Sequence, residues 1–510
     1  MSNAIGWVVV AFIFYLLVMV VIGAAYAKKS NNAEEYFLGG RSLGGFVAAL
    51  SAQASDMSGW LLMGLPGAIF LTGLCGDGWV AVGLLIGTIC NWLFVASRLR
   101  KYTIKANNSL TLPKFFENRY RDEKRILLFI SSIVIVVFFA VYCASALAAG
   151  GQLFQSILGL DYTIALTIGA LVILVYTFLG GFLAVCVTDF VQGTLMLVAL
   201  LAVPIFAVTL MDKSGADIVT GLAMNGITTE SAPGFLNMFA GNNVVSIISG
   251  LAWGLGYFGM PHILVRFMAV KDEKEMTKSK GVAITWVTIS LVMAAVIGII
   301  GRAYMNYDEV VAAGTEKIFI EMIKKIFMVE MNAPLVGGIF LCGIMAAIMS
   351  TADSQLLVSA SAVAEDIFKG ILKRDADDKE VMSVSRITII VIAIIAYVIA
   401  LDPKSSIMGL VSNAWSGLGS AFGPLVLMSL FWKRTNIQGA IAGLISAALT
   451  VIIWDYVPLV AGSTIAAATG LYSLAVGFVV SLVFIVIVSL MTKSPSEEML
   501  KEFDEVKDVE

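Results

Sequence analysis

Long apolar runs, separated by short polar segments, follow one another along almost the whole chain. A helix needs about 20 apolar residues to cross a bilayer. The pattern therefore predicts an all-α polytopic membrane protein. We expect 13 transmembrane helices, at about residues 5–27, 43–72, 79–97, 126–158, 163–185, 190–211, 243–270, 281–300, 334–363, 387–401, 407–432, 437–457 and 471–491.

Two of these spans contain residues that weaken a helix. The segment Ser51–Gly59 (SAQASDMSG) combines small and hydroxylated residues with Asp56, and Trp253–Phe267 (WGLGYFGMPHILVRF) contains three glycines and a proline. A carboxylate in mid-membrane costs about 2.5–3.5 kcal/mol, and a loosened helix is tolerated there only against protein or a watery cavity. We interpret both segments as broken helices that line a site. The alternative is a simple kink in each, with Asp56 neutral or paired and the aromatic residues packed against lipid or neighbouring helices.

The two interrupted spans stand at matching positions in the chain. The second span opens a block of five (about 43–211), and the seventh opens another block of five (about 243–432). Because five is odd, the two blocks have inverted topologies. Interrupted helices at matching positions of two inverted repeats mark the midplane binding site of many transporters.

The ninth span adds two adjacent hydroxyl residues, Ser350 and Thr351, in the segment Cys342–Gln355. Hydroxyls in spanning helices usually bond to their own helix. The alternative is that they face the unwound carbonyls of the second span. Such carbonyls and hydroxyls together can supply the oxygen ligands that Na⁺ prefers, and they would not suit a soft metal.

Loop charges predict the orientation. If the N-terminus is outside, 27 of the 33 Lys and Arg residues, among them Lys28 and Lys29, fall on the inner side, and six, among them Lys404, fall outside. Positive charge is enriched on the cytoplasmic side. We therefore expect a multi-pass protein of the cell membrane with the N-terminus outside and the C-terminus in the cytoplasm.

The polar segments lead to three further predictions. Residues 1–492 are predicted to form one transmembrane domain, followed by an acidic tail at 493–510 that is solvated and partly disordered. The inner loop segment LTLPKFFENRY suits a short helix on the inner membrane surface. The outer stretch Thr315–Glu330 alternates charged and apolar residues, which suits a surface helix or a lid.

Composition argues against several other functions. Only 14% of the residues are charged and the net charge is −3, with no basic, aromatic-rich surface that would indicate nucleic-acid binding. The five cysteines lack metal-ligand spacing, and the single histidine, His262, cannot build a histidine metal site. The absence of hydrolase and ATPase motifs argues against an enzyme. We predict no obligatory protein partner.

The segments SAQASDMSGWLLMGLPGAIF, GGFLAVCVTDFVQG, WGLGYFGMPHILVRF and AAIMSTADSQ together resemble, in this order, the sodium/solute symporter family. The resemblance covers the whole spanning region. It implies a LeuT-like core of two inverted five-helix repeats with three flanking helices. It also implies sodium-coupled uptake of a small molecule, with Na⁺ as the coupling ion and L-proline as the substrate. Relatives that carry other solutes leave another amino acid, a carboxylate or a sugar as alternatives.

The resemblance also implies particular site residues. The backbone carbonyls of Ala54, Met57 and Ala347 and the hydroxyls of Ser350 and Thr351 are expected to bind Na⁺. Asp56 and Asp189 are expected to act in sodium use without direct ligation. The residues that match positions implicated in proline binding are Ser58, Gly59, Trp253, Tyr257 and Pro261, with Tyr142 as a further candidate for which apolar packing is the alternative.

The chemistry of the two broken spans suits the binding of a compact amino acid. Half-helix N-termini can hold a carboxylate, and Trp253 and Tyr257 can face an ammonium and cover a ring. A sugar site would need more amide and carboxylate side chains. We expect alternating access, with the small-residue run Ser412–Pro424 as the outer gate. A membrane sensor is the alternative from a different class, and the short tail without room for a kinase argues against it.

Overall fold

The computed structural model describes residues 2–27, 32–178, 181–228, 230–402, 406–459 and 462–507. The helices in these residues are accompanied by a parallel β-bridge between Leu43 and Val270. The bridge joins the residues just before the first broken span to those just after the second. The predicted all-α class is confirmed.

The principal helices follow the apolar runs and are labelled in chain order. They are α1 (Ser2–Ala27), α2 (Gly45–Asp56), α3 (Leu65–Thr72), α4 (Leu74–Cys90), α5 (Ala96–Lys105), α6 (Leu112–Tyr120), α7 (Ile126–Leu158), α8 (Tyr162–Thr177), α9 (Phe182–Lys213), α10 (Val244–Ala252), α11 (Pro261–Ala269), α12 (Glu273–Tyr304), α13 (Pro334–Ser361), α14 (Asp378–Ala400), α15 (Ile407–Phe431), α16 (Ile437–Tyr456), α17 (Ser473–Met491) and α18 (Glu497–Lys507).

Shorter helical segments extend or connect these helices. A 3₁₀ turn, Trp253–Gly259, continues α10, and π-helical turns at Trp60–Gly64, Asn91–Val95 and Ala362–Leu372 precede α3, join α4 to α5 and continue α13. The connections contain Ala33–Leu38, Gly39–Arg41, Ile218–Met224, Ala232–Leu236, Tyr307–Ala313, Thr315–Lys317, Ile318–Ile323, Lys324–Glu330 and Ile465–Thr469.

The described residues contain ten helices that are long and apolar enough to cross a membrane, or 11 if the bent pair Val244–Gly259 and Pro261–Ala269 is one span. Two shorter apolar helices, Trp60–Thr72 and Tyr162–Val175, fall below that length. The chain is therefore a multi-pass membrane protein. The tenth predicted span, about 387–401, begins earlier in the structure, at Asp378, and ends at Ala400.

Glycine brings the second break close to α4. A Cβ atom on Gly254 would lie 2.1 Å from the Gly83 carbonyl oxygen, and one on Gly87 would lie 2.2 Å from the Gly254 carbonyl oxygen. A larger residue at these positions would therefore push the segments apart. Small residues allow helix backbones in membranes to approach in this way. The contact sets the position of the unwound segment against α4.

The predicted helix in the inner loop is present as α6, but its aromatic face packs on protein. The Phe116 ring stacks on Phe422 with ring centres 6.1 Å apart, and the Tyr120 hydroxyl lies 2.6 Å from that of Ser429. Both partners belong to α15. Helix α15 therefore provides the apolar surface that lipid was expected to provide, and the position of α6 at the inner membrane surface stays a prediction.

The expected disorder of the tail is wrong for residues 497–507, which form α18. Met499, Phe503 and Val506 lie on one face of this helix and are buried. Glu502 pairs with Arg121 at 2.6 Å, and the Phe503 ring lies 6.3 Å from that of Tyr102. The prediction of disorder rested on the acidic composition of the tail and did not take this apolar stripe into account. Residues 508–510 lie outside the described residues.

The outer stretch from Thr315 to Glu330 is helical, as expected, and its residues Ile318, Phe319 and Ile320 are fully buried. The helix therefore packs into the protein on one side.

Three of the charges that predicted the orientation, Lys28, Lys29 and Lys404, lie outside the described residues.

Candidate functional site

The first break lies where the sequence predicted it. Helix α2 ends at Asp56, and the next residue, Met57, has a ψ of 77° that no helix can continue. The Ser55 hydroxyl donates to the Ser51 carbonyl oxygen at 2.6 Å, within α2. All four residues are fully buried. The broken end of α2 is therefore enclosed by protein, as the physics of the membrane interior requires.

The second break follows α10, and neighbouring side chains bind its exposed carbonyls. The indole N–H of Trp415 donates to the Trp253 carbonyl oxygen at 2.8 Å, and the Asn91 amide donates to the Tyr257 carbonyl oxygen at 2.9 Å. Met260 then adopts an extended conformation, with a φ of −84° and a ψ of 104°, before α11 begins. Polar partners from α15 and from the turn after α4 thus stabilise the unwound backbone.

The oxygens expected to bind sodium converge between the first break and α13. The Ser350 hydroxyl lies 2.7 Å from the Ala54 carbonyl oxygen and 3.3 Å from that of Ala347. The Thr351 hydroxyl lies 3.4 Å from the same Ala54 oxygen. Met57, the remaining member of the expected set, directly follows the last residue of α2 and comes three residues after Ala54.

This cluster has the chemistry of a hard-cation site. Its oxygens come from main-chain carbonyls and hydroxyls, which suit Na⁺ better than a thiolate- or imidazole-seeking metal. In the part of the chain that the structure describes, no group of three or more His, Cys, Asp or Glu side chains could hold a metal ion. The residues present therefore fit an alkali cation.

Asp56 connects the two breaks rather than joining the oxygen cluster. Its carboxylate accepts a hydrogen bond from the Tyr257 hydroxyl at 2.6 Å, and its backbone oxygen accepts one from the Trp60 indole at 2.9 Å. The carboxylate is fully buried. This arrangement agrees with an indirect role, in which Asp56 sets the local field and geometry beside the cation oxygens.

The residues expected to bind substrate fall into two groups. Tyr142 and Tyr257 both meet Trp415 edge to face, with ring centres 6.5 and 5.1 Å apart, and Trp253 stacks on Tyr472 at 5.1 Å. Near the first break, the Ser58 hydroxyl accepts from the Trp60 backbone N–H, and a Cβ on Gly59 would lie 2.8 Å from the Ala149 Cβ.

Pro261 begins α11 and lines a cavity of about 20 Å³ together with Phe182, Val265 and Leu357. The segment Trp253–Gly259 before Pro261 is a 3₁₀ turn, and the chain bends by 46° between this turn and α11.

Asp189 forms a buried ion pair with Arg266, at 3.2 Å between its Oδ2 and the guanidinium Nη2. The Ser51 hydroxyl donates to the same Oδ2 at 2.7 Å, and Arg266 also donates to the Ser354 hydroxyl at 2.5 Å. These contacts tie α2, α9, α11 and α13 together. Asp353 lies beside this network, because the Ser354 hydroxyl donates to it at 3.3 Å.

Sequence reasoning missed several residues of this region. Asn91 and Trp415 bind the unwound carbonyls, Arg266 pairs with Asp189, and Tyr472 stacks on Trp253. A lone amide or guanidinium within an apolar run was the available signal for Asn91 and Arg266. No local pattern indicated that Tyr472 would reach the second break.

A family model described as the sodium:solute symporter family matches residues 36–447. The osmoregulated proline transporter OpuE of Bacillus subtilis is 44% identical, over 97% of each chain. The high-affinity proline transporter PutP of the same organism is 45% identical, over 96% of this chain and 99% of its own. The sodium/proline symporter of Escherichia coli is 43% identical, over 97% and 95%.

Solved structures agree on the fold. A Na⁺-coupled sialic acid symporter in a substrate-bound outward-open state superposes with a TM-score of 0.76 at 19% identity, over 96% of this chain and 99% of its own. A nucleobase-cation-symport-1 family transporter in a closed conformation gives a TM-score of 0.53 at 14% identity, over 93% and 98%. The family match and the extent of the identity together establish that the chain belongs to the sodium:solute symporter family, whose members are transporters rather than enzymes.

Proposed function

We propose that the protein is a secondary active transporter that couples the inward movement of Na⁺ to the uptake of L-proline by alternating access. The observation that carries this proposal is the contact of Ser350 and Thr351 with the Ala54 carbonyl oxygen at the first break. Full-length relatives at 43–45% identity that are named as proline or sodium/proline transporters support the choice of ion and substrate.

In this proposal, Na⁺ binds to the carbonyls of Ala54, Met57 and Ala347 and to the hydroxyls of Ser350 and Thr351. Ser350 donates to the Ala54 oxygen at 2.7 Å, so these two members of the set are already adjacent, and Na⁺ would replace the hydrogen bond between them. Binding would fasten α2 to α13. Because Asp56 ends α2 and accepts from Tyr257, the change is passed to the second break.

Proline would then bind between the two breaks. Ser58 and Gly59 offer backbone groups at the start of a half-helix, which attract a carboxylate. Trp253 and Tyr257, with Tyr142 nearby, offer aromatic surfaces for a secondary ammonium and a compact ring. Pro261 would act indirectly, by starting α11. Asp189 and its Arg266 partner would hold the inner half of the bundle together until sodium leaves inward.

We further propose 13 spans arranged as two inverted five-helix repeats with three flanking helices. Support comes from the two shorter apolar helices, Trp60–Thr72 and Tyr162–Val175, which bring the ten long helices and the bent pair to this count. The positive charges favour an N-terminus outside and a C-terminus in the cytoplasm. Residues 1–492 form one domain in this description, and α18 belongs to the tail.

Small residues support Ser412–Pro424 as the outer gate. A Cβ on Gly419 would lie 2.8 Å from the Gly256 Cα, and one on Gly259 would lie 2.6 Å from the Gly423 backbone nitrogen. Helix α15 therefore contacts the second break with almost no side chain between them, which allows the close sliding contact of a gate.

The membrane potential and the sodium gradient together supply enough free energy to drive proline accumulation. One charge that crosses about 100 mV releases about 2.3 kcal/mol, and a tenfold sodium gradient adds about 1.4 kcal/mol. One Na⁺ per proline could thus support accumulation on the order of several hundred-fold.

The test is uptake of labelled proline into proteoliposomes that contain the purified protein. An inward Na⁺ gradient is compared with a K⁺ gradient at the same membrane potential. We expect sodium-dependent accumulation above equilibrium that unlabelled proline inhibits. Sodium-dependent uptake of another amino acid, a carboxylate or a sugar, without uptake of proline, would contradict proline as the substrate. The proposed sodium symport mechanism would still be supported.

A further inference from the structure

Tyr472 lies in the turn that precedes α17, a flanking helix outside the two proposed repeats. Its ring stacks on the Trp253 indole with ring centres 5.1 Å apart and an interplanar angle of 22°. Trp253 is 8% exposed, so the contact fills an enclosed space. A residue from outside the repeats thus reaches a side chain that the proposed function assigns to proline.

The polar atoms of Tyr472 fix its position on two other helices. Its hydroxyl donates to the Ser412 carbonyl oxygen of α15 at 2.7 Å, and its backbone N–H donates to the Ser249 hydroxyl of α10 at 3.0 Å. The turn therefore binds the outer half of the second broken span and the first turns of the proposed gate helix.

The neighbouring residue adds a second bond to the gate helix. The hydroxyls of Ser473 and Ser416 lie 2.7 Å apart, and the Ser473 hydroxyl donates to Asp455 at 2.7 Å. Asp455 is in α16. Both flanking helices after the repeats are thus connected through this turn to α15, which gives Tyr472 a rigid base against which to hold the indole.

We propose that Tyr472 is a positioning residue for substrate affinity, which holds the plane of the Trp253 indole and so shapes the surface offered to the ring of proline. The inference rests on the proposed function and on the substrate role of Trp253 within it. Offset-stacked aromatic pairs orient one another more strongly than apolar packing alone. The flanking helices then contribute to recognition of a compact cyclic amino acid, in addition to their contact with lipid.

The experiment measures the KM and kcat of sodium-driven proline uptake in proteoliposomes. We expect Tyr472→Ala to raise the KM for proline about three- to tenfold, with kcat and the sodium concentration for half-maximal uptake within about twofold of the parent. Tyr472→Phe retains the ring and should keep a KM close to that of the parent. Tyr472→Trp should also preserve affinity.

The matched control is Tyr456→Ala, at a 59% exposed tyrosine of α16, which should leave the KM unchanged. A thermodynamic cycle then tests the mechanism. In a Trp253→Ala background, Tyr472→Ala should produce no further rise in KM, because the indole that it positions is absent. If Tyr472→Ala does not fold, Tyr472→Leu replaces it, since leucine keeps an apolar side chain without the aromatic face.

The possible outcomes separate the two proposals. An unchanged KM in Tyr472→Ala, or an equal rise in the parent and Trp253→Ala backgrounds, would overturn the role of Tyr472. A fall in kcat with constant KM would indicate a purely structural contact and would also overturn it. A parent protein that carries another solute but not proline would instead contradict the proposed substrate, and with it the inference.

Discussion

Tyr257 and Asp56, which are 201 positions apart in the chain, are joined by a hydrogen bond of 2.6 Å from the phenolic hydroxyl to the carboxylate. Each residue lies at the break of a different span. A change at one break therefore alters the other through a single contact. In a symporter, sodium and solute can be coupled only if both favour the same conformation, and this bond provides a direct physical connection between their proposed sites.

Removal of the Tyr257 hydroxyl should weaken sodium activation. Tyr257→Phe leaves the buried Asp56 carboxylate without this donor, and hydrogen bonds to charged groups contribute about 1.5–3 kcal/mol. We expect the sodium concentration for half-maximal proline uptake to rise roughly tenfold or more. Tyr397→Phe is the control, because its hydroxyl bonds only to Thr167 among the contacts described and lies on α14. Equal sodium activation in both variants would disprove the connection.

The hydroxyls of α13 should matter for sodium and hardly at all for folding. Ser350→Ala and Thr351→Ala each remove one oxygen of the proposed set. We expect the sodium concentration for half-maximal uptake to rise by about tenfold or more in each variant. Ser359→Ala, on the same helix, is a matched control because its hydroxyl donates to the Gln355 carbonyl oxygen at 2.8 Å. Proline uptake measured against sodium concentration tests this prediction. Indistinguishable curves for Ser350→Ala, Thr351→Ala and Ser359→Ala would show that Ser350 and Thr351 do not belong to the ion site.

The Asp189–Arg266 pair should control stability. Arg266→Ala leaves a buried carboxylate unpaired, and breaking a buried pair from one side costs about 3–5 kcal/mol. We expect a large fall in the thermal unfolding temperature of the purified protein. The double variant Arg266→Met with Asp189→Asn should recover much of it, since no unpaired charge remains. A double variant as unstable as Arg266→Ala would argue that the packing of Arg266, rather than its charge, is responsible.

The tail helix should be held mainly by Phe503. Surface ion pairs contribute about 0–1 kcal/mol, whereas truncation of a buried phenylalanine costs about 3–5 kcal/mol. Phe503→Ala should therefore speed hydrogen exchange across residues 497–507 much more than Glu502→Gln does. Comparable exchange in the two variants would show that charge, and not the apolar stripe, fixes α18.

Acid should also loosen this helix. A hydrogen bond from Lys105 lowers the pKa of Glu505, so Glu505 stabilises the docked helix at neutral pH. That contribution is lost as the pH falls below about 4, where the carboxyl becomes protonated. Exchange in the segment should rise over this range in the parent and less so in Glu505→Gln. An equal rise in both would assign the pH effect to other carboxyls.

The breaks in the helices were predictable because their causes are local. Asp56 among small hydroxylated residues, and three glycines before Pro261, weaken a helix whatever surrounds it. The convergence of Ser350 and Thr351 on Ala54 was implied by the family resemblance, and the structure brings these residues together.

Contacts between distant segments could not be read from local patterns. The pairing of Asp189 with Arg266 spans 77 positions, and the docking of α18 joins the tail to Arg121 across 381 positions. The 3₁₀ conformation of Trp253–Gly259 also escaped prediction, because glycines weaken an α-helix without specifying the conformation that replaces it.

Equilibrium binding of labelled proline to the purified protein, measured across a range of sodium concentrations, tests the central claim most directly. Linkage requires that sodium raise the affinity for proline by the same factor by which proline raises the affinity for sodium. We predict a coupling factor of at least about tenfold in each direction, and a much smaller factor in Thr351→Ala. Proline binding that does not depend on sodium, or equal coupling in the parent and Thr351→Ala, would contradict the account.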